Sequence, residues 1–322
     1  MKYPKIPIFI LAAALSTSTL VVADDDDEEP FDEARLFFEL NDTDGDLGIH
    51  GKIDGDEWKY LEIEDPRDRK MLNIWVRGRL RKQGLTELFF ESAEPTFDEL
   101  DPEKFFRRFP EGEYDIEGYT LDWEEKESEV YLSHVIPAAP DGVSVNGEPM
   151  ASLESCEGED GAPDIPTVEP QTPEEIITIS WDPVMMSHAE KHGPGGPDPR
   201  EYALGEIGVI DVRYYEIVVE VDETDFKQTA IIPGGKDEDG ELYETEWDFT
   251  DDFFEVAEVD EMECTDDSGR MCAQYKYEIL VRTNVYDDDG NPVILEVDGE
   301  EDNLQGNKSA VESCFLVPED ED

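Results

Sequence analysis

Short stretches in which apolar and polar residues alternate recur along the whole chain. Leu47, Ile49 and Ile53 alternate with polar or small residues, and residues 71–80 place Ile74 and Val76 on one face. A period of two is typical of β-strands with one buried face. Clusters of Gly, Pro and Asp, which are typical of turns, separate the stretches. The pattern therefore predicts an all-β chain.

We expect two antiparallel β-sandwich domains in tandem, at residues 31–135 and 137–317, joined at a Pro-Ala-Ala-Pro linker. In the first domain, Asp54-Gly55 predicts a two-residue hairpin turn before a returning strand at residues 58–63. Asp101 and Pro102 predict an N-cap and a first helical residue, so we expect one short helix at residues 104–109.

The second domain contains several short strand-like segments: residues 143–145, residues 177–183 with Trp181 as a core tryptophan, and residues 214–221, 275–282 and 309–317. With these segments it resembles a fibronectin type III domain. The resemblance implies a β-sandwich used in extracellular recognition or as a spacer. Because this family needs about 100 residues, the resemblance also implies large acidic insertions, which we place at residues 147–172 and 234–250.

The start of the chain has the features of a secretory signal. Lys2 and Lys5 precede an apolar run at residues 6–15, and Val21-Val22-Ala23 forms a small-residue cleavage site. We therefore expect residues 1–23 to be removed, leaving residues 24–30 as an acidic tail and the protein secreted or periplasmic. No later segment reaches the roughly 20 apolar residues of a membrane span.

The composition is strongly acidic, with 86 Asp and Glu against 25 Lys and Arg and a net charge of −61. This charge disfavours nucleic acid as a partner, because phosphate binding needs a basic surface. The 38% of hydrophobic residues is enough to bury a core. The acidity therefore indicates either a solvated surface that keeps the protein soluble, or one that collects divalent cations or a basic partner.

Four cysteines in an exported chain predict two disulfides, for which three connectivities exist. Cys264 and Cys272 bracket a turn-rich segment, so a local bridge is the simplest choice. That choice pairs Cys156 with Cys314. No spacing is Cys-x-x-Cys, so we expect structural bridges rather than redox or zinc chemistry.

An acidic turn at residues 41–49 is a candidate Ca²⁺ site. Asp42, Asp44 and Asp46 alternate within it, and Asp54 and Asp56 supply further oxygens if the predicted hairpin folds back. The turn lacks the Gly and the Glu that an EF-hand loop needs at its sixth and twelfth positions. The alternative is an Asp/Gly loop that only forms local hydrogen-bonded turns.

One segment opposes the overall charge. If residues 73–81 form a strand, Trp75, Arg77, Arg79 and Arg81 lie on its outer face, where they form a candidate site for an anionic sugar or a peptide carboxylate. The alternative is that these cations neutralise neighbouring acidic strands, in which case replacing Arg77 and Arg79 by Ala lowers stability.

His188 and His192 are the candidate metal ligands of an enzyme, one helical turn apart. However, Glu190 between them fits neither order of the zinc-protease motif, and a Gly/Pro segment follows directly. The sequence therefore favours an exported, non-catalytic binding or adhesion protein whose partner is an extracellular or periplasmic protein or glycan. The alternatives are a metal-dependent hydrolase acting through these histidines and a passive acidic spacer.

Overall fold

The computed structural model describes residues 29–156, 165–169, 176–221, 227–237, 239–249, 264–265, 271–287, 289–297 and 300–318. It confirms the all-β prediction, since the sheets are mostly antiparallel and helices are few and short. The predicted signal segment lies outside the described residues, as does most of the acidic tail. Glu29, within that tail, forms an ion pair with Lys126. No helix among the described residues is long and apolar enough to cross a membrane.

The first half of the chain forms a mostly antiparallel group of strands, and a short helix packs Phe105 into its core. Its elements are β1 (Glu33–Asn41), β2 (Asp46–Asp65), β3 (Arg69–Trp75), a 3-10 helix (Leu80–Lys82), β4 (Leu85–Glu91), α1 (Pro102–Arg108), β5 (Gly112–Thr120) and β6 (Glu125–Leu132). Helix α1 starts as predicted, with Asp101 accepting a hydrogen bond from the Glu103 amide.

The long strand β2 differs from the prediction for the same residues. Asp54-Gly55 is not a hairpin turn, because β2 continues through it with register irregularities. The strand is long enough to pair with β1 and β4 near its start and with β3 and β5 near its end. Its inward side chains, such as Ile53, Leu61 and Ile63, are fully buried in the core of this half.

The second half packs two sheets face to face. Its elements are β7 (Asp141–Val145), β8 (Glu148–Pro149), α2 (Leu153–Cys156), β9 (Ile177–Asp182), α3 (His188–His192), β10 (Val212–Val221), β11 (Lys227–Pro233), β12 (Glu246–Phe249), β13 (Cys264–Thr265), β14 (Met271–Asn284), β15 (Ile294–Val297), β16 (Glu300–Asn303) and β17 (Gln305–Pro318). One sheet has the order β12-β9-β7-β8, and β11-β10-β14-β17 form the facing one.

The strands expected from the family resemblance are all present as strands of this sandwich. Trp181 and Tyr215 meet edge to face in its core, with ring centroids 5.3 Å apart. Strand β12 lies inside residues 234–250, the second predicted insertion, and it pairs with β9. The predicted insertion therefore contains one strand of the sandwich.

The two halves share a sheet. Strand β1 pairs with β17 in parallel, so the described strands run continuously in the order β11-β10-β14-β17-β1-β2-β5-β6. Asn307 reinforces the junction, since its side chain donates to the carbonyls of Ser133 and Val135 and accepts from the Phe38 amide. The tandem halves are thus connected by more than the linker.

The predicted disulfide Cys156–Cys314 is present, and it joins α2 to β17 across 158 positions. Cys272 is also disulfide-bonded, and the register of β13 and β14 places Cys264 directly opposite it. That register agrees with the local bridge predicted from the sequence.

Candidate functional site

A row of four aromatic rings crosses one face of the first half. Trp75 on β3 lies opposite Tyr60 on β2, and Tyr60 lies opposite Tyr119 on β5. Trp123, in the turn after β5, extends the row, and successive ring centroids are 4.4, 5.8 and 6.2 Å apart. The terminal rings are the most exposed, at 49% for Trp75 and 61% for Trp123. We call these four residues the aromatic row.

Hydrogen bonds beneath the row hold Tyr60 in place. The Tyr60 hydroxyl donates to the carboxylate of Glu62 and accepts from Asn73 Nδ2 at 2.8 Å. Burial acts to raise the pKa of Glu62, but hydrogen bonds led by that from Lys70 outweigh it and hold this pKa well below its usual range. The carboxylate therefore stays ionised and keeps the tyrosine oriented.

The far end of the row rests on a buried lysine. Lys59 Nζ lies 3.2 Å from the centroid of the Trp123 ring and donates to the Leu121 carbonyl at 2.9 Å. Burial lowers the pKa of Lys59, and the nearby charge of Arg81 lowers it further. Trp123 itself has φ of 74°, which is uncommon for a bulky residue. Such strain is found where the surrounding structure enforces it, often at functional sites.

The predicted arginine strand is wrong in its second part. Strand β3 ends at Trp75, and Arg77 and Arg79 lie in an exposed turn that Gly78 makes with φ of 66°. The turn runs into the 3-10 helix that contains Arg81 and Lys82, so the arginines do not alternate on a strand face. They follow directly on Trp75 instead. We call Arg77, Arg79, Arg81 and Lys82 the basic turn.

The basic residues of this segment differ in their ion pairs among the described residues. The cations just before the basic turn are paired, Arg69 with Asp65 and Lys70 with Glu62. Within the described part of the chain, no carboxylate forms an ion pair with the basic turn. Arg69 and Lys70 thus take part in the charge neutralisation expected from the sequence. For the basic turn, charge balance and ligand binding both stay predictions.

This combination has a definite binding chemistry. Exposed aromatic rings in a row provide apolar faces against which the C–H faces of sugar rings stack, and arginine binds carboxylates through forked hydrogen bonds. A local excess of positive charge on a strongly negative protein attracts anions to this face rather than elsewhere. The arrangement can hold an extended, negatively charged ligand.

The five predicted calcium ligands do not converge. Asp42 accepts two hydrogen bonds from Arg200 Nη1, at 3.0 and 2.8 Å, and its Oδ1 lies 3.3 Å from His188 Nε2. Burial acts to raise the pKa of Asp42, but its hydrogen bonds to His188 and Arg200 lower it to about 2. Asp42 is therefore committed to a contact between the two halves.

Asp54 lies at the opposite end of the β1–β2 ladder from Asp46, because Asp54 pairs with Glu33 and Asp46 with Asn41. Eight residues of strand correspond to about 26 Å, too far for one ion. Asp56, predicted as the fifth ligand, pairs with Lys126.

Asp44 and Asp46 remain near each other in the acidic turn. The pKa of Asp46 is raised to about 6 by burial and then by the charges of Glu94, Asp44 and Glu312. Calcium binding at this turn stays a prediction.

The two predicted histidine ligands are close together but already engaged. Their ring centroids are 4.4 Å apart on α3. His188 Nδ1 accepts from the Leu204 amide at 3.0 Å while Nε2 faces Asp42, and His192 Nδ1 lies 2.8 Å from the Asp198 carbonyl. Both side chains are buried. These contacts give the histidines a structural role between the halves, and they do not support the hydrolase alternative.

Sequence reasoning found one end of the aromatic row and missed the other three rings. Tyr60 and Tyr119 are half-buried residues on separate strands, and only the register of β2, β3 and β5 brings them beside Trp75. One signal was available in the sequence. Tyr60 and Tyr119 both lie at positions where alternation places a solvent-facing side chain, between buried neighbours, so each tyrosine is expected on the outer face of its strand.

No family model matches the chain, and no curated protein sequence matches it. Among solved structures, a segment of two fibronectin type III domains from chicken tenascin is 11% identical, with a TM-score of 0.20, over 85% of this chain and 95% of that chain. A bacterial ice-binding adhesin of 1.5 MDa, described for host cell surface retention, is 10% identical, with a TM-score of 0.20, over 90% of this chain and 66% of that chain. The BSP domain of a biofilm-associated protein is 10% identical, with a TM-score of 0.20, over 89% of this chain and 29% of that chain. At these scores the matches do not bear on function, which must be argued from the site.

Proposed function

We propose that this chain is an exported, non-catalytic binding protein of adhesion type, which holds an anionic polysaccharide on the aromatic row and the basic turn. The observation that carries the proposal is the in-register row from Trp75 through Tyr60 and Tyr119 to Trp123. Contiguous exposed aromatic surface of this kind is typical of an interaction site.

A sugar fits this face better than an acidic peptide. The row runs across three strands, perpendicular to their direction, and its ring centroids follow one another at 4.4, 5.8 and 6.2 Å, which gives a continuous aromatic surface along which sugar rings can stack. A peptide strand would instead add to an open sheet edge through main-chain hydrogen bonds. The basic turn beside Trp75 supplies forked donors for carboxylate or sulfate groups on the sugar.

The second half supports an extracellular setting for this face. It has the strand content of the fibronectin type III resemblance, and the Cys156–Cys314 bridge is typical of oxidising compartments. Modules of this kind act in recognition or as spacers, so we assign the second half to supporting the binding face of the first.

The proposal is tested by isothermal titration calorimetry with an oligouronate, a neutral cello-oligosaccharide of the same length and poly-glutamate, all in EDTA. We expect binding of the oligouronate that weakens as NaCl is raised, and weaker or no binding of the other two. Equal affinity for poly-glutamate would show that charge alone acts, and the absence of oligouronate binding would contradict the proposal.

A further inference from the structure

Glu111, His134 and Glu206 bring metal-ligating atoms together beside the junction of the two halves. One atom from each side chain lies within 4.8 Å of the others. The three residues come from separate segments. Glu111 lies between α1 and β5, His134 lies just after β6, and Glu206 lies between α3 and β10. None of them belongs to the aromatic row or to the predicted calcium turn.

The ring of His134 is oriented as a metal ligand would be. Its Nε2 lies 2.8 Å from the Phe109 carbonyl, to which it donates. In the neutral imidazole with this hydrogen bond, the other nitrogen, Nδ1, carries the lone pair that a metal ion binds. Histidines that bind metals usually donate their second ring N–H to a backbone carbonyl or carboxylate in this way, which fixes the tautomer and the ring.

The carboxylate of Glu111 is also held from behind. Its Oε1 accepts from the His134 amide at 2.7 Å and from Ser133 Oγ at 3.2 Å. Oε1 is thereby fixed by protein donors, and no side chain or amide among the described residues donates a hydrogen bond to Oε2. Hydrogen-bonded ligand carboxylates of this kind are a regular feature of metal sites.

Glu206 is tied to the same histidine through the backbone. Its amide donates to the His134 carbonyl at 2.9 Å. Gly205 permits this approach, because it has φ of 69° and a Cβ there would lie 2.1 Å from the His134 oxygen. The close contact therefore requires glycine and places Glu206 beside His134.

We propose that Glu111, His134 and Glu206 bind one divalent transition-metal ion, for which Zn²⁺ is the probe. One imidazole nitrogen with two carboxylates suits Zn²⁺, whereas Ca²⁺ and Mg²⁺ prefer oxygen ligands only. Glu111 and Glu206 also line a cleft of about 290 Å³ that extends to Asn284 and Asp287. The ion therefore lies beside this cleft, and it joins the first half, through Glu111 and His134, to the second half, through Glu206.

The test is a Zn²⁺ titration of the whole chain in about 0.3 M NaCl, which screens the acidic surface. Millimolar Ca²⁺ and Mg²⁺ are added to occupy sites that prefer oxygen ligands. We expect one ion per chain and a higher Tm. Glu206→Gln, at an exposed residue, and His134→Gln should each weaken Zn²⁺ binding at least tenfold and abolish the rise in Tm.

The matched control is His50→Gln. His50 also lies between two carboxylates, with its Nε2 3.0 Å from Glu94 and 3.6 Å from Glu39, but Lys308 neutralises Glu39. We expect His50→Gln to keep the full response. Loss of binding in this variant with retention in Glu206→Gln, or no stoichiometric Zn²⁺ in the wild type, would overturn the proposal. Metal-free Tm values check that each variant is folded.

Discussion

Arg200 Nη1 donates hydrogen bonds to both carboxylate oxygens of Asp42, at 2.8 and 3.0 Å, and so joins the acidic turn to the segment after α3. The side chain of His188, which is only 2% exposed, adds a second contact, with its Nε2 3.3 Å from Asp42 Oδ1. The turn that the sequence offers as a metal loop is thus attached to the second half by its first aspartate.

Replacing Asp42 by Asn should destabilise the protein. The substitution removes the charged partner of Arg200 Nη1 and leaves Arg200 only its 3.3 Å contact with Asp198. We expect the free energy of unfolding at pH 7 to fall by about 1–3 kcal/mol, a range reduced because Arg200 is partly exposed. Urea unfolding measures it. Asp44→Asn, at an exposed position in the same turn, should change stability by less than about 0.5 kcal/mol. Equal effects of the two substitutions would contradict a specific link between the halves.

Stability should rise as the pH falls from 8 to 5. Burial, followed by the charges of Glu312 and Glu39, raises the pKa of Glu278 from 4.5 to about 7. Because the folded state binds this proton more tightly than the unfolded state, protonation favours folding. This stabilisation is fully present below the unfolded pKa of 4.5, is lost as the pH rises to about 7, and is absent at pH 8. Glu278→Gln should therefore raise the free energy of unfolding at pH 8 by about 1–2 kcal/mol and leave it nearly unchanged at pH 5.

The control for Glu278 is Glu220→Gln, at an exposed position on the neighbouring strand β10. It should produce little difference between the two pH values. A stabilisation by Glu278→Gln that is the same at pH 5 and pH 8 would refute the account of this carboxyl group.

The long-range disulfide should contribute more to stability than the local one. Cys156 and Cys314 are both buried and close a loop of 158 positions. A longer closed loop restrains the unfolded chain more, so replacing both by Ser should cost about 2–5 kcal/mol. The same replacement at Cys264 and Cys272 should cost less. Thermal unfolding of the two double variants gives the order, and a larger loss at the local pair would contradict it.

The basic turn should be dispensable for folding. Since its arginines lack carboxylate partners in the described structure, Arg77→Ala with Arg79→Ala should alter stability by no more than about 0.5 kcal/mol and weaken oligouronate binding. Arg69→Ala, which removes the ion pair with Asp65, should lower stability instead. A marked loss of stability in the Arg77/Arg79 double variant would restore the charge-balance interpretation.

Alternation was enough to predict the fold class, the cap at Asp101 with Pro102 was enough to predict the helix after it, and the resemblance at residues 177–183 was enough to predict the strand with Trp181. Each of these signals depends on residues close in the chain. The path of β2 was not predictable in the same way. Asp54-Gly55 has the composition of a turn, but pairing with β1 and β4 keeps the chain extended there. Tertiary pairing overrides local turn preference in this case.

The candidate site likewise contains residues that the sequence shows directly and residues that only tertiary pairing brings together. Trp75 and the arginines were visible because they occupy alternate positions of one short segment, although the strand ends earlier than alternation indicates. Tyr60, Tyr119 and Trp123 join them only through strand register. Asp42 was assigned to calcium because the sequence does not show that Arg200, far along the chain, approaches it.

The most direct test of the binding face is a calorimetric comparison of the oligouronate affinities of wild type, Trp75→Ala and Trp123→Ala. Phe89→Ala serves as the control, because Phe89 is 58% exposed in the same half but lies outside the aromatic row. We predict at least a tenfold loss of affinity, about 1.4 kcal/mol, for each tryptophan variant and no change for Phe89→Ala. Unchanged affinity in both tryptophan variants would contradict the account.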